Sequence, residues 1–150
     1  MYGSIQKSKK PSEKQAAEES PLFRVRPLRR ARRECDDLFR SEAETLWVIS
    51  QLSLLRHWPL DAKQQGLLGS DLDFSKVHHH GEDFFELRLD DSHLHQKNLR
   101  VFFWVQADRR TIWIIHGYWK KTNRLDEAVK ILVARRIKHL KGCIQDGSVK

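Results

Sequence analysis

Apolar and charged residues alternate in Leu22-Phe23-Arg24-Val25-Arg26-Pro27, with Phe23 and Val25 interleaved between arginines. A period of two predicts a short strand. Pro27 ends it, because proline has no N–H to give to a ladder. The spacing then lengthens. Leu28, Cys35, Leu38 and Phe39 fall on one face of a helix, with an arginine cluster opposite. Ser41-Glu42-Ala43-Glu44 fits a capping box, in which a serine and a glutamate satisfy free backbone N–H groups. It opens a second helix with a predicted apolar face of Leu46, Ile49, Leu52 and Leu55, ended by Pro59.

Residues 59–82 hold Pro59, Gly66, Gly69, Gly81 and several Asp and Ser. This predicts a connection longer than most in a compact domain. Three strand signals follow: Phe84–Leu89, Leu99–Val105 and Thr111–Trp119, with a turn at Asp108-Arg109-Arg110 between the last two. Such short links favour an antiparallel meander. The last predicted element is a helix from about Leu125 to Lys141. Val129, Leu132, Val133, Ile137 and Leu140 form its apolar face, and Gly142 suits the position just past its end. The expected fold is α+β: a small antiparallel sheet with two N-terminal helices and a C-terminal helix, in the order β-α-α-β-β-β-α.

Residues 1–20 carry almost no bulky apolar side chains and read as a disordered basic tail. The folded domain is expected over residues 21–142, with a flexible tail at 143–150. The chain of 150 residues suits one domain, and its 39% hydrophobic content is enough for one core. No apolar run approaches the roughly 18–20 residues that span a bilayer, and the N-terminus lacks a secretory apolar stretch. Cys35 and Cys143 make neither a disulfide framework nor a metal-spaced pair. The expectation is a reduced, cytoplasmic protein with no membrane contact. His78, His79 and His80 near Asp83, and His93 near His95, lack a strong zinc spacing and read as polar loop; no metal or cofactor is expected.

The net charge of +8 is unevenly placed: residues 1–33 sum to +7, 34–96 to −8 and 97–150 to +9. Two basic blocks flanking an acidic one suggest a polyanionic partner.

Within the second half, Phe85-Glu86-Leu87-Arg88 is followed by Leu99-Arg100-Val101-Phe102-Phe103, then by Ile115-His116-Gly117-Tyr118-Trp119-Lys120-Lys121-Thr122 and a basic helix. This series resembles the RelE/ParE toxin superfamily, most of all its HigB-type, phage-derived branch. Shared features are an E-L-R strand, an R-V strand and an H-G-aromatic-x-K-K-T segment. The likeness is specific over residues 84–141. Over 22–58 only the order of strand and two helices agrees. The resemblance implies the toxin of a type II toxin–antitoxin pair, a metal-independent endoribonuclease that cuts mRNA on the ribosome and is neutralised by a cognate helix-turn-helix antitoxin. The alternative is a non-catalytic member of the same fold, such as a gyrase inhibitor, or a repurposed one.

Metal-free RNA cleavage needs a base for the 2′-hydroxyl, cations for the phosphorane and an acid for the leaving 5′-oxygen. Arg88 and Arg100, on adjacent predicted strands, and Lys120 and Lys121, at the end of the third, resemble the family's phosphate-holding cations. Glu86 reads equally as a general base or as a salt-bridge partner of Arg88 or Arg100. His116 is a candidate acid or base. By strand alternation it shares a face with Ile112 and Ile114, while Trp113 and Ile115 point the other way. Both faces are therefore apolar, and alternation does not say which is active. Tyr118, Trp119, Arg124, Arg136 and His139 are the expected RNA contacts, Trp119 because it adjoins the lysine pair.

Overall fold

The computed structural model describes residues 22–59, 72–90, 92–121 and 126–147. The expected tail at residues 1–20 lies outside them. The elements are β1 (Arg24–Pro27), α1 (Arg29–Leu38), α2 (Glu42–Ser53), β2 (Asp73–His79), β3 (Glu82–Leu89), β4 (Leu99–Gln106), β5 (Thr111–Trp119) and α3 (Glu127–Asp146). The fold is α+β: one five-stranded sheet in the order β1-β5-β4-β3-β2, with helices on both faces. Three of the ladders are antiparallel, as short links require. The β1–β5 ladder is parallel. All the other strands lie between these two in sequence, so no hairpin constrains their direction.

The strand β2 falls where only a connection was expected. Its apolar residues, Phe74 and Val77, join opposite cores, so no alternation is visible along it. It is held by a two-residue hairpin whose His80 and Gly81 both have positive φ, 51° and 79°. That geometry matches the twist of paired strands and favours glycine at the second position. His78 and His79 are therefore strand residues rather than loop residues.

The start of α2 is capped as its sequence suggests, with Ser41 Oγ accepting from Glu44 N. The reciprocal arm is shifted: Glu44 accepts from the N–H of Arg40. The buried side of α2 carries Glu44 and Val48, with Trp47 and Leu52 packed in part, whereas Leu46 and Ile49 are 57% and 54% exposed. The expected apolar face of this helix is thus rotated, because the spacing from Glu44 through Val48 and Leu52 to Leu55 faces the sheet.

The last helix also differs from expectation. Gly142 lies inside it, and Ile144 packs on the core. The chain ends the helix at Gly147, with φ 77° and its N–H bonded to Ile144 O. Residues 143–146, expected in a flexible tail, are helical.

Two cores sandwich the sheet. The first joins α1 and α2 to Leu87, Leu99, Val101, Phe103, Ile112 and Ile114. The second joins α3, through Val133, Ala134, Ile137 and Leu140, to Phe84, Phe102, Trp113 and Ile115. Strand β5 is covered on both faces, which accounts for its nearly continuous apolar run. Among the described residues no helix is long and apolar enough to cross a membrane.

Candidate active site

Strand register gathers the sequence candidates on the α3 face of the sheet. Asp73, Arg88, Arg100 and Tyr118 are cross-strand partners in one row. Two residues along, Ser75, Glu86, Phe102 and His116 form the next. Side chains two apart on a strand share a face, so Glu86 and Arg88 project together.

His116 and Tyr118 reach this face because of a bulge. Phe102 pairs with His116 and Phe103 with Ile114, leaving Ile115 as an extra residue on β5. One inserted residue turns every following side chain to the other face. His116 therefore stands opposite Ile112 and Ile114, contrary to simple alternation, and its ring stacks on Tyr118 at 5.8 Å. Tyr118 in turn stacks on Phe102 at 6.1 Å.

The two arginines of the row are held differently. Arg88 is clamped by Asp73 through Nε and Nη2, at 3.0 and 2.8 Å, and also donates to Ser75 Oγ at 3.1 Å. The guanidinium hydrogen bonds, outweighing the cost of burial, hold the Asp73 carboxyl below the usual range and raise Arg88. Glu86 lies between the two arginines, 3.4 Å from Arg88 Nη1 and 3.5 Å from Arg100 Nε. The Arg100 side chain is only 13% exposed. Its Nε has no hydrogen-bond partner among the described residues, and Nη1 makes only a 3.5 Å bond to Leu99 O. A buried guanidinium with such loose contacts retains capacity to bind an anion.

A second group flanks the row. Glu34 of α1 accepts from Arg136 of α3 at 2.6 and 3.0 Å and lies 2.8 Å from His116 Nδ1. Arg136 also donates to Ile115 O at 2.9 Å, at the bulge itself. Burial raises the Glu34 carboxyl, but the Arg136 and His116 hydrogen bonds prevail and leave it lowered. An ionised carboxylate only accepts, so it selects the tautomer with a proton on Nδ1 and leaves Nε2 for chemistry. The Tyr118 hydroxyl is pushed up to about 12, by burial first and then by Asp126 and Glu86, and so stays protonated.

Several sequence candidates lie elsewhere. Trp119 falls on the opposite face, where its Nε1 donates to Leu38 O at 3.0 Å and its ring meets Phe39 edge-on. The bulge puts it there, so being next to the lysine pair in sequence does not put it beside Tyr118. His139 is exposed on α3, 3.5 Å from Cys143 Sγ and away from the row. Lys120 is half-buried just past β5, its N–H bonded to Asn98 O, and Lys121 is exposed. Arg124 lies outside the described residues. Arg136 does join the group, but as the partner of Glu34. Glu34 and Asp73 were missed by sequence reasoning. Glu34 reads as one acid at the end of an arginine cluster, and Asp73 as part of a loop.

Cys35 and Cys143 are free, and burial, followed by Glu34 and Asp36, pushes the Cys35 thiol up to about 11. His78 and His79 each pair with a single carboxylate, Asp83 and Glu127, both at 2.7 Å. Among the described residues no three His, Cys, Asp or Glu side chains form a metal-holding group.

Comparisons with protein-family models, with curated proteins and with solved structures found no match to this chain.

Proposed function

We propose that this protein is the toxin of a type II toxin–antitoxin pair, a metal-independent endoribonuclease that cuts mRNA on the ribosome in the cytoplasm. The observation that carries the reading is Arg100: a buried, loosely held guanidinium set between Glu86 and Tyr118 on the face that also carries His116. The resemblance of residues 84–141 to HigB-type toxins supports it from the sequence side.

In this reading Glu86 takes the 2′-hydroxyl proton as the 2′-oxygen attacks the adjacent phosphorus. Arg100 exchanges its 3.5 Å contact with Glu86 for the phosphorane oxygens. His116 acts in its doubly protonated form: Nδ1–H stays on Glu34, and Nε2 gives its proton to the leaving 5′-oxygen, which leaves the neutral Nδ1–H ring. The products are a 2′,3′-cyclic phosphate and a free 5′-hydroxyl, so no metal or cofactor enters the balance. Tyr118 donates a hydrogen bond to the phosphate or stacks against a base. Lys120 and Lys121 supply further positive charge at the strand end. The cognate antitoxin, a helix-turn-helix protein in this reading, covers the basic face of residues 97–141 or blocks ribosome entry.

The tight Arg88–Asp73 clamp favours a second reading, a non-catalytic binding protein of the same fold such as a gyrase inhibitor, because it neutralises one of the two arginines. Induction followed by mapping of mRNA ends separates the two. Codon-linked cuts that vanish in Arg100→Ala support the nuclease. Growth arrest with intact mRNA supports the binder.

A further inference from the structure

A dense run of positive charge lies outside the candidate active site. Between residues 24 and 33 the chain carries six arginines and no acidic residue. Strand β1 forms one edge of the sheet, and α1 follows it directly and packs along β5. Arg24 stands on that edge, and its N–H bonds to Arg110 O at 2.8 Å, which brings the Arg109–Arg110 turn alongside. On α1, Ala31 is buried against the first core, so Arg29, Arg30, Arg32 and Arg33 occupy the outward arc of the first turns. All four are exposed, as are Arg24 and Arg109.

Two neighbours flank this ridge on opposite faces of the sheet: Arg26 lies over the Trp113 ring at 4.6 Å on the α3 face, and Arg110 lies over Phe23, of the first core, at 5.6 Å. The exposed six differ: none of them makes an ion pair with a described residue. Asp36 and Asp37 close the ridge at the far end of α1, and Asp108 adjoins it at the turn. Four strand residues and two helical turns give a ridge roughly 20 Å long.

We propose that this ridge is a second, non-catalytic surface that docks on the phosphate backbone of double-helical RNA. Guanidinium groups match phosphate oxygens through two parallel donors and keep their charge at any physiological pH. A protein partner would need an apolar centre to its interface, and Leu22 is the one large exposed apolar residue beside the ridge. Single-stranded RNA would need exposed aromatic rings to stack its bases, whereas Trp113 and Phe23 are buried beneath arginines. An all-arginine ridge that offers no exposed aromatic ring among the described residues fits a duplex recognised by shape and backbone. The inference does not rest on the nuclease reading, because it concerns another edge of the sheet and another property.

The test is fluorescence anisotropy of the full chain with a labelled RNA duplex of about 20 base pairs, titrated between about 50 and 200 mM salt. The variant Arg24→Gln/Arg30→Gln/Arg33→Gln changes only exposed side chains, and circular dichroism checks that it stays folded. The expected result is at least about tenfold weaker binding and a salt slope shallower by about two to three, one unit per lost phosphate contact. Lys76→Gln, an exposed cation on the opposite edge strand β2, should bind the duplex as tightly as the unchanged protein. Unchanged affinity and slope in the triple variant would overturn the proposal. So would tighter binding of a single strand of equal length, or an equal loss of duplex binding in Lys76→Gln. Failure of the nuclease reading shows instead as intact mRNA ends, a separate readout.

Discussion

Glu34 of α1 and His116 of β5 are 82 positions apart in the chain, and the carboxylate Oε1 of one lies 2.8 Å from Nδ1 of the other. The same carboxylate holds Arg136, so one acidic side chain fixes a ring and a guanidinium on the candidate face. Removing it in Glu34→Ala leaves a nearly buried Arg136 without its counter-charge. A loss of about 1–3 kcal/mol is expected, below that of a fully buried pair because Glu34 keeps partial solvent access. Urea unfolding measures it, and Glu34→Gln, which preserves an acceptor, should lose less.

The same carboxyl sets an acid limit. Glu34 and Asp73 are both held below their ordinary values, by the Arg136 and His116 hydrogen bonds and by the Arg88 hydrogen bonds respectively. A carboxyl that binds its proton more weakly when folded stabilises the fold where it is ionised. That contribution is complete above about pH 4.5 and disappears as pH falls through the lowered native values. Urea midpoints should therefore drop steeply below about pH 4. In Glu34→Gln the drop should be smaller, and an equal drop in both proteins would remove Glu34 from the account.

Arg100→Ala should lower mRNA cleavage by about 10²–10³-fold, the usual cost of losing one placed donor to a developing anion. Thermal stability should change little, since the guanidinium has only long contacts to lose. Lysine at this position should restore part of the activity, because it returns the charge without the fork. RNA-end mapping and a melting curve on the same variants distinguish a lost site from a lost fold.

Tyr118 keeps its proton up to about 12, chiefly through burial. Cleavage should therefore show no loss assignable to phenol ionisation between about pH 7 and 10. Tyr118→Phe should keep the ring stacked between Phe102 and His116 and fold normally. Its activity should fall by about tenfold if the hydroxyl donates to phosphate, one neutral hydrogen bond being worth about 0.5–1.5 kcal/mol. An unchanged rate would assign Tyr118 to packing.

Glu44 is 3% exposed and accepts from the N–H of Arg40, from the N–H of His95 and from the His95 ring, at one oxygen or the other. It thus ties the start of α2 to the segment between β3 and β4. Glu44→Ala should cost about 1–3 kcal/mol, because it strands the two part-buried N–H groups of Arg40 and His95. Hydrogen exchange at His95 should rise in the same variant more than at Val101, whose ladder partners are untouched.

Much of the fold was legible because it depends on local pattern. The strand signals at Phe84–Leu89, Leu99–Val105 and Thr111–Trp119 hold within one or two residues, since β-branched and aromatic runs bounded by turns have few other uses. Strand β2 was illegible because its two apolar residues serve opposite cores. The extent of α3 was misjudged at Gly142, since a glycine can sit inside a helix that Ile144 still anchors.

For the candidate site, sequence alone named Glu86, Arg88, Arg100, His116 and Tyr118: Glu86 and Arg88, and His116 and Tyr118, stand two residues apart on their strands, with Arg100 on the strand between them, a spacing set by strand geometry. Only the tertiary structure decided their arrangement. Ile115 inserts one residue into β5 and so moves His116 and Tyr118 to the face of Arg100, while sending Trp119 to the other. A period-two pattern carries no mark of such an insertion, because the extra residue is as apolar as its neighbours. Glu34, Asp73 and Arg136 join the group through contacts across the chain, which depend on how the helices and strands pack and not on any local spacing.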